Sequence, residues 1–131
     1  MPDVNLLAVI VAALSSFLLG GIWYSPVLFG PTWQRIAGDV RKPGDAHPAK
    51  VFGLSFLFAL VAAFAYALVI PAPADAMSAV LQGLAVGAGV VAASFGINYQ
   101  FANRPAVMWL IDGGYHTVQF ILYGLILGLW H

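Results

Sequence analysis

Apolar residues run through this chain in four blocks of membrane-spanning length, interrupted by short polar or proline-rich stretches. The blocks cover about residues 4–23, 51–70, 77–101 and 106–130. Each holds 20 or so residues, enough for a helix to cross a ~30 Å hydrocarbon layer. The first block ends in Trp23-Tyr24-Ser25-Pro26, an aromatic pair suited to the membrane–water boundary followed by a helix breaker. Its start carries Asp3 and Asn5 but no Lys or Arg, so it reads as an uncleaved span rather than a secretory leader. Pro71-Ala72-Pro73 stops the second block, and the short connection to Ala76 makes the second and third spans antiparallel neighbours. Asn103-Arg104-Pro105 forms a tight turn, with Pro105 placed for the first turn of the last helix. Trp109 and Trp130 bracket that helix as boundary aromatics.

Residues 25–50 make the one long polar connection. Thr32 is positioned to cap a short helix over Trp33-Gln34-Arg35-Ile36-Ala37 that Gly38 would end. Phe29, Trp33 and Ile36 can dip into the boundary while Gln34 and Arg35 stay wet, as in an interfacial helix. Asp39 to Lys50, with Pro43, Gly44 and Pro48, reads as a loop. The expected fold class is therefore all-α, a single-domain integral membrane four-helix bundle with a short interfacial helix in its first connection.

Composition agrees. Of 131 residues, 62% are hydrophobic and 8% charged, whereas a soluble domain carries roughly 25% charged residues. So few charges cannot cover a water-facing surface. Net charge is zero, which argues against nucleic acid as a partner, since phosphate binding needs a basic face. Cysteine is absent, which removes disulfides, thiolate metal sites and a Cys nucleophile. All five acids are Asp. Arg35, Arg41, Lys42 and Lys50 lie in the first connection and Arg104 in the third. By the positive-inside rule these connections are cytoplasmic and both termini lie outside, with the cell (inner) membrane as the expected location.

Small residues recur every four positions: Ala8, Ala12, Ser16 and Gly20; Ala59, Ala63 and Ala67; Gly83 and Gly87, with Ala85, Gly89 and Ala93 beside them; Gly124 and Gly128. Such faces let helix backbones approach in lipid, either within the chain or between copies. The lipid bilayer is the expected surrounding, and self-association or other membrane subunits the expected partners.

The last block alone carries ionisable residues at depth. Asp112, His116, Gln119 and Tyr123 share one helical face, and intramembrane ionisable groups usually face a bundle interior, a cavity or a partner. Asp112 lies about 10 Å into its helix. It is either solvated at the boundary or paired with Arg104, or else shut in as a proton carrier or cation ligand. For His116 the expected role is an interhelical hydrogen bond to Asn98, Tyr99 or Ser94. Asp112 and His116 give two of the ligands a metal would need, and His47 and His131 lie elsewhere, so neither metal nor cofactor is expected. Ser15, Ser16, Ser55 and Ser94 lack the context of a nucleophile elbow, and the Gly83–Gly89 stretch lacks the lysine of a phosphate loop.

Two blocks resemble the motifs of a known family: Gly21-Ile22-Trp23-Tyr24-Ser25-Pro26-Val27-Leu28-Phe29-Gly30-Pro31-Thr32-Trp33 and Ile111-Asp112-Gly113-Gly114-Tyr115-His116. The chain resembles, over its whole length, the small four-span membrane proteins catalogued as domain of unknown function 1761. The resemblance implies a fold and no activity. It also implies that the two blocks belong to one site, with Trp23, Tyr24, Trp33 and Trp109 near Asp112 and His116 at the cytoplasmic surface. The expected function is non-enzymatic, as a homo-oligomer or an accessory subunit of a membrane complex. The alternative is a small channel or transporter for protons, a cation or a small solute, with Asp112, His116, Gln119 and Asn98 along the route.

Overall fold

The computed structural model describes residues 4–37 and 48–130. The expected cap by Gly38, most of the 39–50 loop, and Asp3, Arg41, Lys42, His47 and His131 lie outside the described residues. In chain order the helices are α1 (Leu6–Trp23), α2 (Gly30–Ala37), α3 (Pro48–Val69), α4 (Ala76–Val86), α5 (Ala93–Phe101) and α6 (Ala106–Leu129). A π-helical segment, Gly87–Ala92, joins α4 to α5 without a break.

Local chemistry sets the boundaries. Asn5 caps α1 by accepting from the Ala8 amide at 3.1 Å, and Asp75 caps α4 by accepting from Ser78 N–H at 2.8 Å. That backbone bond holds the exposed Asp75 carboxyl below the usual carboxylate range. At the 102–105 turn Asn103 takes φ 56°, the left-handed conformation that Asn tolerates.

The short helix α2 starts earlier than Thr32 suggests. A compact turn over 25–29 folds back on the end of α1, with Phe29 N–H donating to Trp23 O and Gly30 N–H to Ser25 O. A Cβ on Gly30 would lie 2.3 Å from the Tyr24 carbonyl oxygen, so only glycine lets α2 begin against that turn. Thr32 is therefore inside the helix.

Among the described residues, three helices are long and apolar enough to cross a membrane: Leu6–Trp23, Ala49–Val69 and the composite Ala76–Phe101. The fourth, α6, has the length at 24 residues, but Asp112, His116 and Gln119 dilute its apolar character. It is instead the helix the others enclose. Nine of its residues are buried, and it touches each of the other helices. The second and third connections lie at opposite ends of the bundle. Pro73 and Gly128 meet near both termini, where Asn5 Nδ2 donates to Trp130 O at 3.5 Å.

The tightest packing is between α4 and α6. A Cβ on Gly83 would lie 2.2 Å from the Phe120 carbonyl oxygen, and one on Gly124 2.4 Å from that of Ala79. The π segment continues the contact, since Gly87 presses on the backbone of His116 and Thr117. These glycines join helices of one chain, backbone against backbone. Ala8, Ala12 and Ala63 form the centre of the core with Tyr66, Phe120, Tyr123 and Leu127. By contrast Ala85, Gly89 and Ala93 remain exposed, and a Cβ on Gly89 meets nothing.

Three substitutions test this packing, each read from thermal unfolding in mild detergent. Gly83→Ala should destabilise by about 1–3 kcal/mol, because backbone cannot move aside as a side chain can. Gly53→Ala, in a helix interior where a Cβ meets nothing, should stabilise by roughly 0.5–1 kcal/mol. The buried Tyr66 hydroxyl has no hydrogen-bond partner among the described residues, so Tyr66→Phe should raise the midpoint, with a gain of about 1 kcal/mol.

Candidate functional site

Asp112 is 7% exposed and carries no ion pair among the described residues. Three neutral donors from three other elements surround its carboxyl group. Tyr24, at the end of α1, donates its hydroxyl to Oδ1 at 2.5 Å. Trp33 Nε1 of α2 donates to Oδ2 at 3.2 Å. The Tyr99 hydroxyl of α5 donates to the same oxygen. Hydrogen bonds to a charged acceptor are the strong class, each contributing about 1.5–3 kcal/mol net. The Arg104 pairing and the solvated state expected from sequence are both replaced by this enclosure. Burial, and then the bond to Asp112, hold the Tyr24 phenol above its ordinary range, so it stays a donor.

The backbone beside Asp112 is clamped as well. Trp23 Nε1 donates to Ile111 O at 2.9 Å. A Cβ on Gly114 would lie 3.0 Å from the Trp23 ring, so the second glycine of the Asp-Gly-Gly-Tyr-His block makes room for the tryptophan of the first block. Tyr24 and Tyr115 rings lie 5.7 Å apart, and Tyr115 and His116 rings 4.9 Å apart. The two motif blocks thus meet directly.

Below this cluster the predicted stripe divides. Asp112 faces α1, α2 and α5, whereas His116, Gln119 and Tyr123 form a separate line. His116 Nδ1 is 2.6 Å from Gln119 Oε1, and Gln119 Nε2 donates to the Tyr123 hydroxyl at 2.9 Å. That hydroxyl contacts Ser16 Oγ at 2.9 Å and reaches Ala59 O at 3.2 Å. Ser16 in turn donates to Ala13 O. His116 therefore bonds along its own helix, and its ring stacks on Phe95 at 4.9 Å instead of bonding across to Asn98, Tyr99 or Ser94. Asn98 and Ser94 are exposed and stand apart from the line. Trp109 points to the π segment, where its Nε1 donates to Ala92 O at 2.7 Å, and lies outside the Asp112 shell.

Sequence reasoning missed Tyr99 as an Asp112 partner and Ser16 as more than a small packing residue. The short turn before α6 was the available signal for Tyr99, because it sets the end of α5 opposite the start of α6. Ser16 carried no such signal, its contact being with a residue 107 positions away. Among the described residues no three His, Cys, Asp or Glu side chains gather where they could hold a metal ion.

Residues 7–128 match the family model described as a protein of unknown function, DUF1761. No curated protein and no solved structure matches the chain.

Asp112→Ala leaves two tyrosine hydroxyls and an indole N–H without their acceptor and should cost about 3 kcal/mol or more, at roughly 1–3 kcal/mol for each buried donor left unpaired. Asp112→Asn keeps one acceptor oxygen and should cost less, about 1–3 kcal/mol. Denaturant unfolding in detergent, followed by tryptophan fluorescence, checks both. A double-mutant cycle with Tyr24→Phe should return a coupling energy of at least about 0.5 kcal/mol.

Proposed function

The chain belongs to this family of unknown function, and we propose that it is a four-span, non-enzymatic integral membrane protein that works by associating with a second copy of itself. The observation that carries the reading is the enclosure of Asp112. The one carboxyl group on the described helices that lies at depth is engaged by Tyr24, Trp33 and Tyr99 and holds four elements together. It is a structural acceptor, not a general acid or base. The polar line from His116 ends at the carbonyls of Ala13 and Ala59, within a core of Ala12, Ala63 and Tyr66. Its burial there favours this reading over a transport route.

Further support lies in the division of the small faces. Gly83, Gly87, Gly124 and Gly128 are used within the chain, while Ala85, Gly89 and Ala93 are left on the outside. In lipid a small face permits close helix approach, which is what association there needs. The basic residues of the first and third connections support an extracytoplasmic position for both termini, with α6 as the fourth crossing.

Because the chain has no cysteine, single-cysteine variants test the reading cleanly. In native membranes Gly89→Cys should form a disulfide-linked dimer on mild oxidation, whereas Phe58→Cys, on another exposed face, should not. Equal cross-linking at both positions, or none at Gly89→Cys, would overturn the self-association reading. Proteoliposomes of the purified protein should hold a proton gradient as long as empty vesicles do; accelerated collapse would favour the transport reading.

A further inference from the structure

A cavity of about 890 Å³ opens between α1, α3 and α6, with Gln34 of α2 at its mouth. It sits within the 300–1,000 Å³ typical of small-molecule sites. From Phe52 to Ala62 its α3 wall is about 15 Å long at the helical rise. Phe17, Phe52, Phe58 and Phe120 make most of the apolar wall, and Val91 of the π segment completes it. The polar residues, Tyr24, Ser55, Tyr115, His116 and Gln119, lie on the walls of α1, α3 and α6. Among the described residues no charged side chain lines it.

The hydrogen-bond directions decide what this cavity offers. Tyr24 gives its proton to Asp112, Tyr115 to Ser16 O at 2.9 Å, and Ser55 to Val51 O at 2.7 Å. None of the three hydroxyls has a proton to spare. For His116 the same logic runs through the relay. Tyr123 donates its one proton to Ala59 O and accepts from the Gln119 amide. Gln119 Oε1 must then face His116 and receive the Nδ1 proton. Neutral His116 is left with a bare Nε2 lone pair, and no group among the described residues donates to it. Phe95 and Tyr115 pack against the ring and fix its plane.

We propose that this cavity binds a lipophilic molecule with one neutral O–H donor, a phenol or alcohol on a ring or chain, whose hydroxyl donates to His116 Nε2. An anionic head finds no cation among the described lining residues. A cationic head finds no counter-charge among them either, since Asp112 does not line the cavity and its oxygens already accept from three donors. The inference goes beyond the self-association reading and does not depend on it.

The test uses the full chain in lipid nanodiscs with ¹⁵N-labelled histidine. Its probes are 4-octylphenol and 4-octylanisole, which share a body and differ in the donor. The phenol should shift the His116 Nε2 resonance saturably, with an affinity about tenfold above that of the anisole, the worth of one well-placed hydrogen bond. His116→Phe should abolish that preference, read there by displacement of radiolabelled 4-octylphenol. Gly21→Leu fills the cavity from a position where a Cβ meets nothing. It should weaken both probes while leaving His116 and its partners in place, and it decides the matter if His116→Phe fails to fold. Equal affinities for the two probes, a shift that grows linearly with bilayer content, or undiminished phenol binding in Gly21→Leu would overturn the proposal.

Discussion

A carboxyl group held away from water must have its oxygens satisfied by donors, and no donor on its own helix does this for Asp112. The need is met by Tyr24, Trp33 and Tyr99, which arrive from the end of α1, from α2 and from α5. Much of the half of the bundle around Asp112 can be understood as what this demand requires. The 25–29 turn returns the chain so that Trp33 can reach Asp112, Gly30 lets that return be tight, and Gly114 yields space for Trp23 beside it. Neutral donors suit the purpose. A lysine or arginine would add a second charge to be desolvated, whereas phenol and indole groups bring apolar surface with a single proton at its edge.

The remaining half follows a different rule. Where lipid surrounds a helix, burying leucine gains nothing over leaving it outside, so helices associate through close backbone contact. That is why the interior of this protein is built from Ala8, Ala12, Ala63, Gly83 and Gly124, while Leu18, Phe58 and Phe101 lie on the surface. The distribution inverts that of a soluble domain. It also leaves polar side chains such as Gln119 and Ser16 as the specific contacts in an interior otherwise made of methyl groups and backbone.

Much of this was legible in the sequence because it depends on summed properties. Helix positions follow from runs of apolar residues, and each observed end lies within a few residues of the hydrophobic block that announced it. The likeness of the Trp-Tyr-Ser-Pro and Asp-Gly-Gly-Tyr-His blocks to one family's motifs brought together the residues around Asp112. What escaped depends on phase and on contacts distant in sequence. Asp112 and His116 share a face of α6, yet neighbouring helices arrive on different sides of that face and divide its residues between two networks. Asn98 is polar and near the right depth, but its rotation about the helix axis turns it outward. Periodicity within one segment could not show this, because the segment that contains it is not one uninterrupted α-helix.

The π segment explains that last failure. Over the sixteen residues from Gly83 to Tyr99 an unbroken α-helix turns until the two side chains stand about 160° apart, on nearly opposite faces. One extra residue taken into a wider turn removes about 100° of that rotation and leaves them roughly 60° apart. Gly83 can then press on the Phe120 backbone while Tyr99, farther along the same helix, reaches Asp112. The six residues Gly87–Ala92 thus act as a phase shifter. They let a single helix keep one face toward α6 at both ends, so that lipid-type packing at one end and a hydrogen-bonded carboxyl at the other belong to one continuous contact.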